Sequence, residues 1–259
     1  MAINKDSQVF TFGFAVVMVI VVATVLSLAA MGLKAPQQEN EKQEKMQSIL
    51  GSVQVEVSRQ EASESFGKYV KKRYILNSSG EVVSEMDGDV RTIAKDGKEE
   101  AEKDAFNVDV RKQYRDKSKA LEEKKFPLFE CEKDGNVYYV IPLVGTGLWG
   151  PIWGYIALES DMNTVFGATF DHKTETPGLG AEINQSWFES PFVGDQIFDA
   201  NGEFVSIKVI KGGADAADKH GVDAITGGTI TSNGVSNMLQ NTLEIYVPYF
   251  KSKSDIASI

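Results

Sequence analysis

The chain has 259 residues, 42% hydrophobic and 25% charged, the balance of a packed globular body long enough for one domain with an appendage. A formal net charge of -10 without a dense Lys/Arg patch excludes nucleic acid as the natural partner. The single cysteine, Cys131, excludes an intrachain disulfide, and with only two distant histidines, His172 and His220, no zinc or iron–sulfur ligand set is visible.

No residue from Val9 to Leu33 is charged. A helix crossing the hydrocarbon core needs about 20 apolar residues, and this run supplies them. The rival reading is a cleaved leader processed near Leu28-Ala29-Ala30, but a leader's apolar region spans only about 7–15 residues. The charge flanks do not set an orientation. Lys5 sits beside Asp6, and Lys34, Lys42 and Lys45 are mixed with Glu39, Glu41 and Glu44. Taken literally they lean towards a cytoplasmic C-terminus.

Gln37 to Leu50 is polar and helix-prone, as in a stalk. Ser58 to Leu76 is expected to form an amphipathic helix, with Phe66, Tyr69, Val70 and Tyr74 on one face. Ser79-Gly80 marks a turn, and Asp87 to Glu102 an exposed charged excursion. The main body starts near Phe126. Phe126–Cys131 and Val137–Val144 are expected as two strands around an Asp134-Gly135 hairpin turn. Tyr155–Glu159, Val165–Phe170 and Phe204–Ile210 are further expected strands, and Ala181–Phe188 a short helix. Val235, Met238, Leu239, Thr242 and Tyr246 recur at helical spacing and predict a helix from Thr231 to Val247. The pattern is α+β: one N-terminal transmembrane helix, then a mostly antiparallel sheet flanked by helices.

Three motifs bear on chemistry. Gly145, Gly147 and Gly150 match G-x-G-x-x-G, but Pro151 follows at once and an apolar run replaces the helix that a dinucleotide site requires. The motif therefore reads as loop and strand. Trp149 and Trp153 read as core or interface residues, and the Trp149 to Tyr155 region as a second candidate wall of a binding site. The stretch Glu175-Thr176-Pro177-Gly178-Leu179-Gly180 is a rigid turn leading into a short helix. It reads either as a plain connecting loop or as a platform of backbone groups for a polar ring edge. Last, Thr226-Gly227-Gly228-Thr229-Ile230-Thr231-Ser232 places two glycines before the final helix, whose first amides lack intrahelical acceptors and whose dipole is positive there. A phosphate suits such a turn. So does a simple helix cap, and local physics alone leaves both open.

In order behind one N-terminal anchor, GLWGPIWGYIALE, HKTETPGLGAEI and TGGTITS resemble the C subunits of the bacterial Na+-translocating NADH:quinone reductases, within the wider FMN-binding domain family that includes the G subunits of the Rnf-type ferredoxin:NAD oxidoreductases. The resemblance implies covalent FMN, held as a phosphoester on Thr229. Thr226, Gly227 and Gly228 open the attachment motif, Thr231 closes it, and Ser232 follows. The departure is Gly228, where the family usually has Ala. The resemblance further places Glu175, Thr176, Pro177, Gly178, Leu179 and Gly180 against the flavin, with no catalytic residue and no metal ligand. It implies partners in a multisubunit complex, especially the B, D and E subunits, a separate flavin transferase acting outside the cytoplasm, membrane lipid around the anchor, and a periplasmic C-terminal domain in the inner membrane. Electrons would pass from an iron–sulfur centre between membrane partners to a second FMN on the B subunit, with NADH oxidised elsewhere. The alternative is the corresponding FMN-carrying chain of an Rnf-type complex. The organisation expected is a tail over 1–8, a membrane helix over 9–34, a stalk over 35–57, a helical or irregular segment over 58–125, the FMN-binding domain over 126–250 and a tail over 251–259.

Overall fold

The computed structural model describes residues 7–90, 93, 102–116 and 118–253. Two units divide the chain, residues 1–44 and 45–259. Helix α1 spans Gln8–Ser52. Its most apolar 18-residue window has a mean hydropathy of 2.8 and no buried residue, so by length and composition it can cross a membrane. The exposed Val, Leu and Phe side chains between Val9 and Leu33 call for an apolar surrounding, lipid or a partner's surface.

The second unit is built on a six-stranded antiparallel sheet in the order β2-β1-β3-β4-β5-β6. The strands are β1 (Val70–Leu76), β2 (Val82–Asp87), β3 (Phe126–Lys133), β4 (Asn136–Thr146), β5 (Pro151–Leu158) and β6 (Val165–His172). Alternation along each strand divides its side chains between two cores. In β3, Phe126 and Leu128 face one core while Phe129 and Cys131 face the other. The first core is closed by Val235, Met238, Leu239, Leu243, Tyr246 and Phe250 of α5 (Thr229–Lys253). The second is closed by Met46, Ile49 and Leu50 from the end of α1, Phe66 of α2 (Ala62–Tyr69), Phe106, and Val110 of α3 (Val110–Arg115). A sheet covered on both faces explains the near-continuous apolar run from Phe126 to Cys131. Asp134 and Gly135 both have positive φ, 53° and 80°, which gives the two-residue hairpin turn the sequence predicts.

Four expectations are corrected. The helix over Ser58–Leu76 stops at Tyr69, and Val70–Leu76 is strand. Pairing with β3 on one side and β2 on the other overrides its helical spacing. Ala181–Phe188 is two short pieces, a 3-10 turn over Gly180–Asn184 and α4 (Ser186–Glu189), because Gln185 between them is extended. The strand expected over Phe204–Ile210 shrinks to β7 (Lys208–Ile210), since Ser206 adopts a φ of 59°. β7 pairs in parallel with β8 (Gly221–Asp223). The final helix begins at Thr229, two residues before the expected start, and continues to Lys253. Most of the charged excursion over Asp87–Glu102 lies outside the described residues.

Candidate functional site

The three motifs converge at the N-terminal end of α5. Gly145 and Thr146 end β4, the turn closes with the Gly147 amide donating to the Gly150 carbonyl at 2.8 Å, and Pro151 opens β5. This is loop and strand, as the sequence predicts, and not the opening of a dinucleotide-binding helix. At the other motif, the Gly228 amide donates to Ile225 C=O at 3.0 Å, and Ser232 N–H is the first amide of α5 to donate back, to Gly228 C=O at 2.9 Å. The amides of Thr229, Ile230 and Thr231 precede it, at the positive end of the helix. Gly227 has a φ of +79°, which an L side chain rarely adopts, and that sets the sharp turn into the helix.

The structure sorts the hydroxyls of TGGTITS. Thr231 is buried and its Oγ1 donates to Glu175 Oε2 at 2.6 Å. Ser232 is buried and its Oγ accepts from Ile225 N at 3.2 Å. Thr226 is exposed and Thr229 half-buried, and among the described residues neither hydroxyl is hydrogen-bonded. Of these two, only Thr229 stands on the first turn of α5.

The ETPGLG stretch lies beside that turn. An added Cβ on Gly227 would sit 2.7 Å from Leu179 Cδ2, and one on Gly180 would sit 2.4 Å from Thr231 Oγ1. Gly178 has a φ of +76°, and its amide donates to Glu182 Oε1 at 2.9 Å. The amides of Leu179 and Ala181 both donate to Thr176 C=O at 3.1 Å, so the loop is fixed by its own backbone. Glu175 is buried, with its carboxylate directed inward rather than towards solvent. Besides Thr231, it accepts from Trp149 N at 2.8 Å.

The region Trp149 to Tyr155 divides. Trp149 is exposed beside Glu175, but Tyr155 belongs to the core on the sheet face opposite α5, and Trp153 lies under the Arg111 guanidinium at 4.9 Å. Residues 153 and 155 share one face of β5, and Ile152, packed with α5, takes the other. Trp149 is therefore the part of this region that borders the site. Two neighbours escape the sequence reading, Leu148 and Ile230, exposed at 50% and 57%. With Trp149 and Leu179 they leave apolar side chains uncovered around the start of α5. Their only sequence signal is their place inside the motifs, Leu148 between Gly147 and Trp149 and Ile230 between Thr229 and Thr231. Two concavities of about 710 and 470 Å³ lie elsewhere, one along α2 and the end of β2 and one beside His220, and neither is lined by a residue of the three motifs.

A helix start whose first amides precede the intrahelical ladder, a hydroxyl without a hydrogen bond among the described residues and a rim of exposed apolar side chains are chemically suited to a phosphate-bearing planar ligand, and residues 147–244 match the FMN-binding domain family. The chain is 32% identical over 237 residues to the C subunit of the Na+-translocating NADH-quinone reductase from Vibrio parahaemolyticus, covering 91% of this chain and 90% of that one. It also resembles the crystal structure of the C subunit from Parabacteroides distasonis, with 40% identity and a TM-score of 0.71 over 86% of this chain and 98% of that chain. The Shewanella oneidensis NqrC structure matches with 26% identity and a TM-score of 0.61, over 84% and 97% of the two chains. This chain belongs to the NqrC family, the C subunits of the Na+-translocating NADH-quinone reductases.

Proposed function

We propose that this chain is a membrane-anchored electron carrier that holds FMN as a phosphoester on Thr229. The observation that carries the reading is the sorting of hydroxyls: Thr231 and Ser232 are committed inside the fold, while Thr229, at the positive end of α5, has no hydrogen bond from its hydroxyl among the described residues. Attachment requires a transferase and FAD. The bond from Thr229 Oγ to the flavin-side phosphorus forms as the pyrophosphate bond to AMP breaks. AMP leaves, and the hydroxyl proton passes to a base on the transferase.

The residues present suit the group. The first amides of α5 would receive phosphate oxygens, and Leu148, Trp149, Leu179 and Ile230 would offer an apolar rim to a planar ring. When bound, the flavin supplies reversible electron uptake, and a relay of electrons asks no acid or base of the protein. An ester through phosphate leaves the ring chemically unmodified and prevents loss of a cofactor that cycles continuously. Thr226, Gly227 and Gly228 form the turn that presents Thr229, and the positive φ of Gly227 sets its sharpness. Thr176, Pro177, Gly178 and Gly180 hold Leu179 in place.

Membership of the family supports assembly with the other subunits of the reductase, with the B, D and E subunits as direct neighbours and the B subunit as electron acceptor. α1 is the anchor, and attachment outside the cytoplasm puts the C-terminal domain on the periplasmic side. The relatives are NqrC chains, and for that reason the Rnf-type reading is not adopted.

Mass spectrometry of the peptide spanning Thr226 to Ser232, from chain coexpressed with the transferase, is expected to show the added mass of esterified FMN. Thr229→Ala should abolish it while leaving the thermal transition of the flavin-free chain within a degree or two of wild type, because the side chain is only partly buried and its hydroxyl makes no hydrogen bond among the described residues. Covalent flavin retained in Thr229→Ala sinks the assignment.

A further inference from the structure

Glu175 joins all three motifs through one side chain. It is 5% exposed, and its two carboxylate oxygens are divided between two segments far apart in sequence: Oε1 accepts from the Trp149 amide at 2.8 Å, and Oε2 from the Thr231 hydroxyl at 2.6 Å. Its own amide donates to His172 Nδ1 at 3.2 Å, and the neighbouring Thr174 hydroxyl donates to Trp149 C=O at 3.0 Å, so Trp149 is held through both its N–H and its C=O. Two glycines clear the space. An added Cβ on Gly147 would lie 2.6 Å from Oε1, and one on Gly180 would lie 2.4 Å from both Oε2 and Thr231 Oγ1. Among the described residues no lysine, arginine or histidine forms an ion pair with this carboxylate. Its charge is balanced by donated hydrogen bonds and by the positive start of α5.

We propose that Glu175 is a positioning residue for flavin attachment: its buried carboxylate ties the first turn of α5 to the 147–150 turn and so fixes where Thr229 is presented. The proposal rests on the reading of Thr229 as the attachment residue. It gives the closing hydroxyl of the attachment motif, Thr231, a defined task as the donor to Glu175, and that hydroxyl does not touch the flavin. Removing either partner leaves a buried donor or acceptor unmatched and frees the turn that carries Thr229.

The test measures the initial rate of covalent flavin incorporation into full-length, initially flavin-free chain in detergent, with transferase and FAD fixed. Glu175→Ala and Thr231→Val should each slow labelling about tenfold or more, the factor expected for losing a buried charge-assisted hydrogen bond. Thr231→Ser restores the hydroxyl, and Glu175→Gln can still accept from Trp149 N while its amide donates to the Thr231 oxygen. Both should stay within about threefold of wild type. The double variant Glu175→Ala/Thr231→Val should be no slower than Glu175→Ala alone, because the two residues form one interaction. Hydrogen–deuterium exchange of the flavin-free chain should quicken in residues 147–150 and 229–232 and stay unchanged in β3 to β5. Labelling of Glu175→Ala and Thr231→Val at the wild-type rate overturns the proposal. So does a Thr231→Ser chain as slow as Thr231→Val, or exchange that quickens across the whole sheet. If Glu175→Ala does not fold, the Thr231→Val and Thr231→Ser pair decides. A wild-type chain without flavin on Thr229 overturns the attachment reading and this inference with it. A labelled wild type beside a Glu175→Ala chain labelled just as fast overturns this inference alone.

Discussion

Gly228 is where the attachment stretch departs from the usual pattern of the family, and the structure gives the departure a physical setting. A Cβ added there would lie 3.0 Å from Ile225 Cγ2, 3.1 Å from Ile225 Cβ and 3.4 Å from the Leu179 carbonyl carbon. These contacts are tight without being prohibitive, and a shift of Ile225 by a few tenths of an ångström relieves them. Gly228→Ala is expected to cost about 1 kcal/mol, the low end for overpacking, and to leave labelling of Thr229 intact. Urea denaturation of the flavin-free chain measures the first part and peptide mass spectrometry the second; a loss of labelling would mean that the turn has no slack. Gly180 is a different case. Its missing Cβ is the space occupied by Glu175 Oε2 and Thr231 Oγ1, so Gly180→Ala breaks the tie itself and should both destabilise the chain by about 2 kcal/mol or more and slow labelling. None of this is legible in the sequence. An acid before a Pro-Gly turn reads as part of a loop, and only folding shows that its carboxylate turns inward to meet residues 26 positions before it and 56 after.

The elements divide by the range of the forces that make them. The β3–β4 hairpin was legible because Asp134-Gly135 favours positive φ locally, and α5 because its apolar residues repeat along one face. β1 was not legible, since Val70–Leu76 becomes strand through pairing with β3, whose partners lie 50 to 61 positions further on. Its burial also depends on a distant partner. Arg73 is fully buried in β1, with Nε 2.8 Å from Asp104 Oδ1 and Nη2 3.0 Å from Oδ2, a bidentate pair outside solvent. In a helix that arginine would read as a solvated charge. Removing one partner strands a buried charge, so Arg73→Met or Asp104→Leu should each cost about 3–5 kcal/mol. The double replacement by apolar residues should recover a large part of the loss. Chemical denaturation of the full chain in detergent measures both, and equal, additive losses would argue against the pair as a unit.

At the scale of the whole molecule, the buried titratable groups set how stability changes with pH. Burial beside Asp171 pushes the Glu189 carboxyl from its ordinary 4.5 up to about 7, despite the bond it accepts from Phe170 N. Burial likewise pushes Asp195 from 3.8 up to about 6, with Lys219 and His220 pulling against it and Asp218 adding to it. Both carboxyls bind more protons folded than unfolded across this interval, so they favour the fold below their ordinary values and that contribution is lost as pH rises through about 6 and 7. Lys45 has the opposite sign. Its stem is partly exposed, but its ammonium reaches inward to Phe106 C=O and over the Phe106 ring, and desolvation lowers it from 10.5 to about 8 against the pull of Asp104 and Asp109. The fold gives up that proton more readily than the unfolded chain does, so stability rises again above about 8. The thermal midpoint of the flavin-free chain should therefore fall between about pH 5 and 7, reach a shallow minimum near neutrality and climb towards about pH 9. Glu189→Gln should flatten the acid limb and Lys45→Met the alkaline one. Midpoints recorded across this range for the three chains test the assignment limb by limb, and an acid limb unchanged in Glu189→Gln would remove that carboxyl from the account.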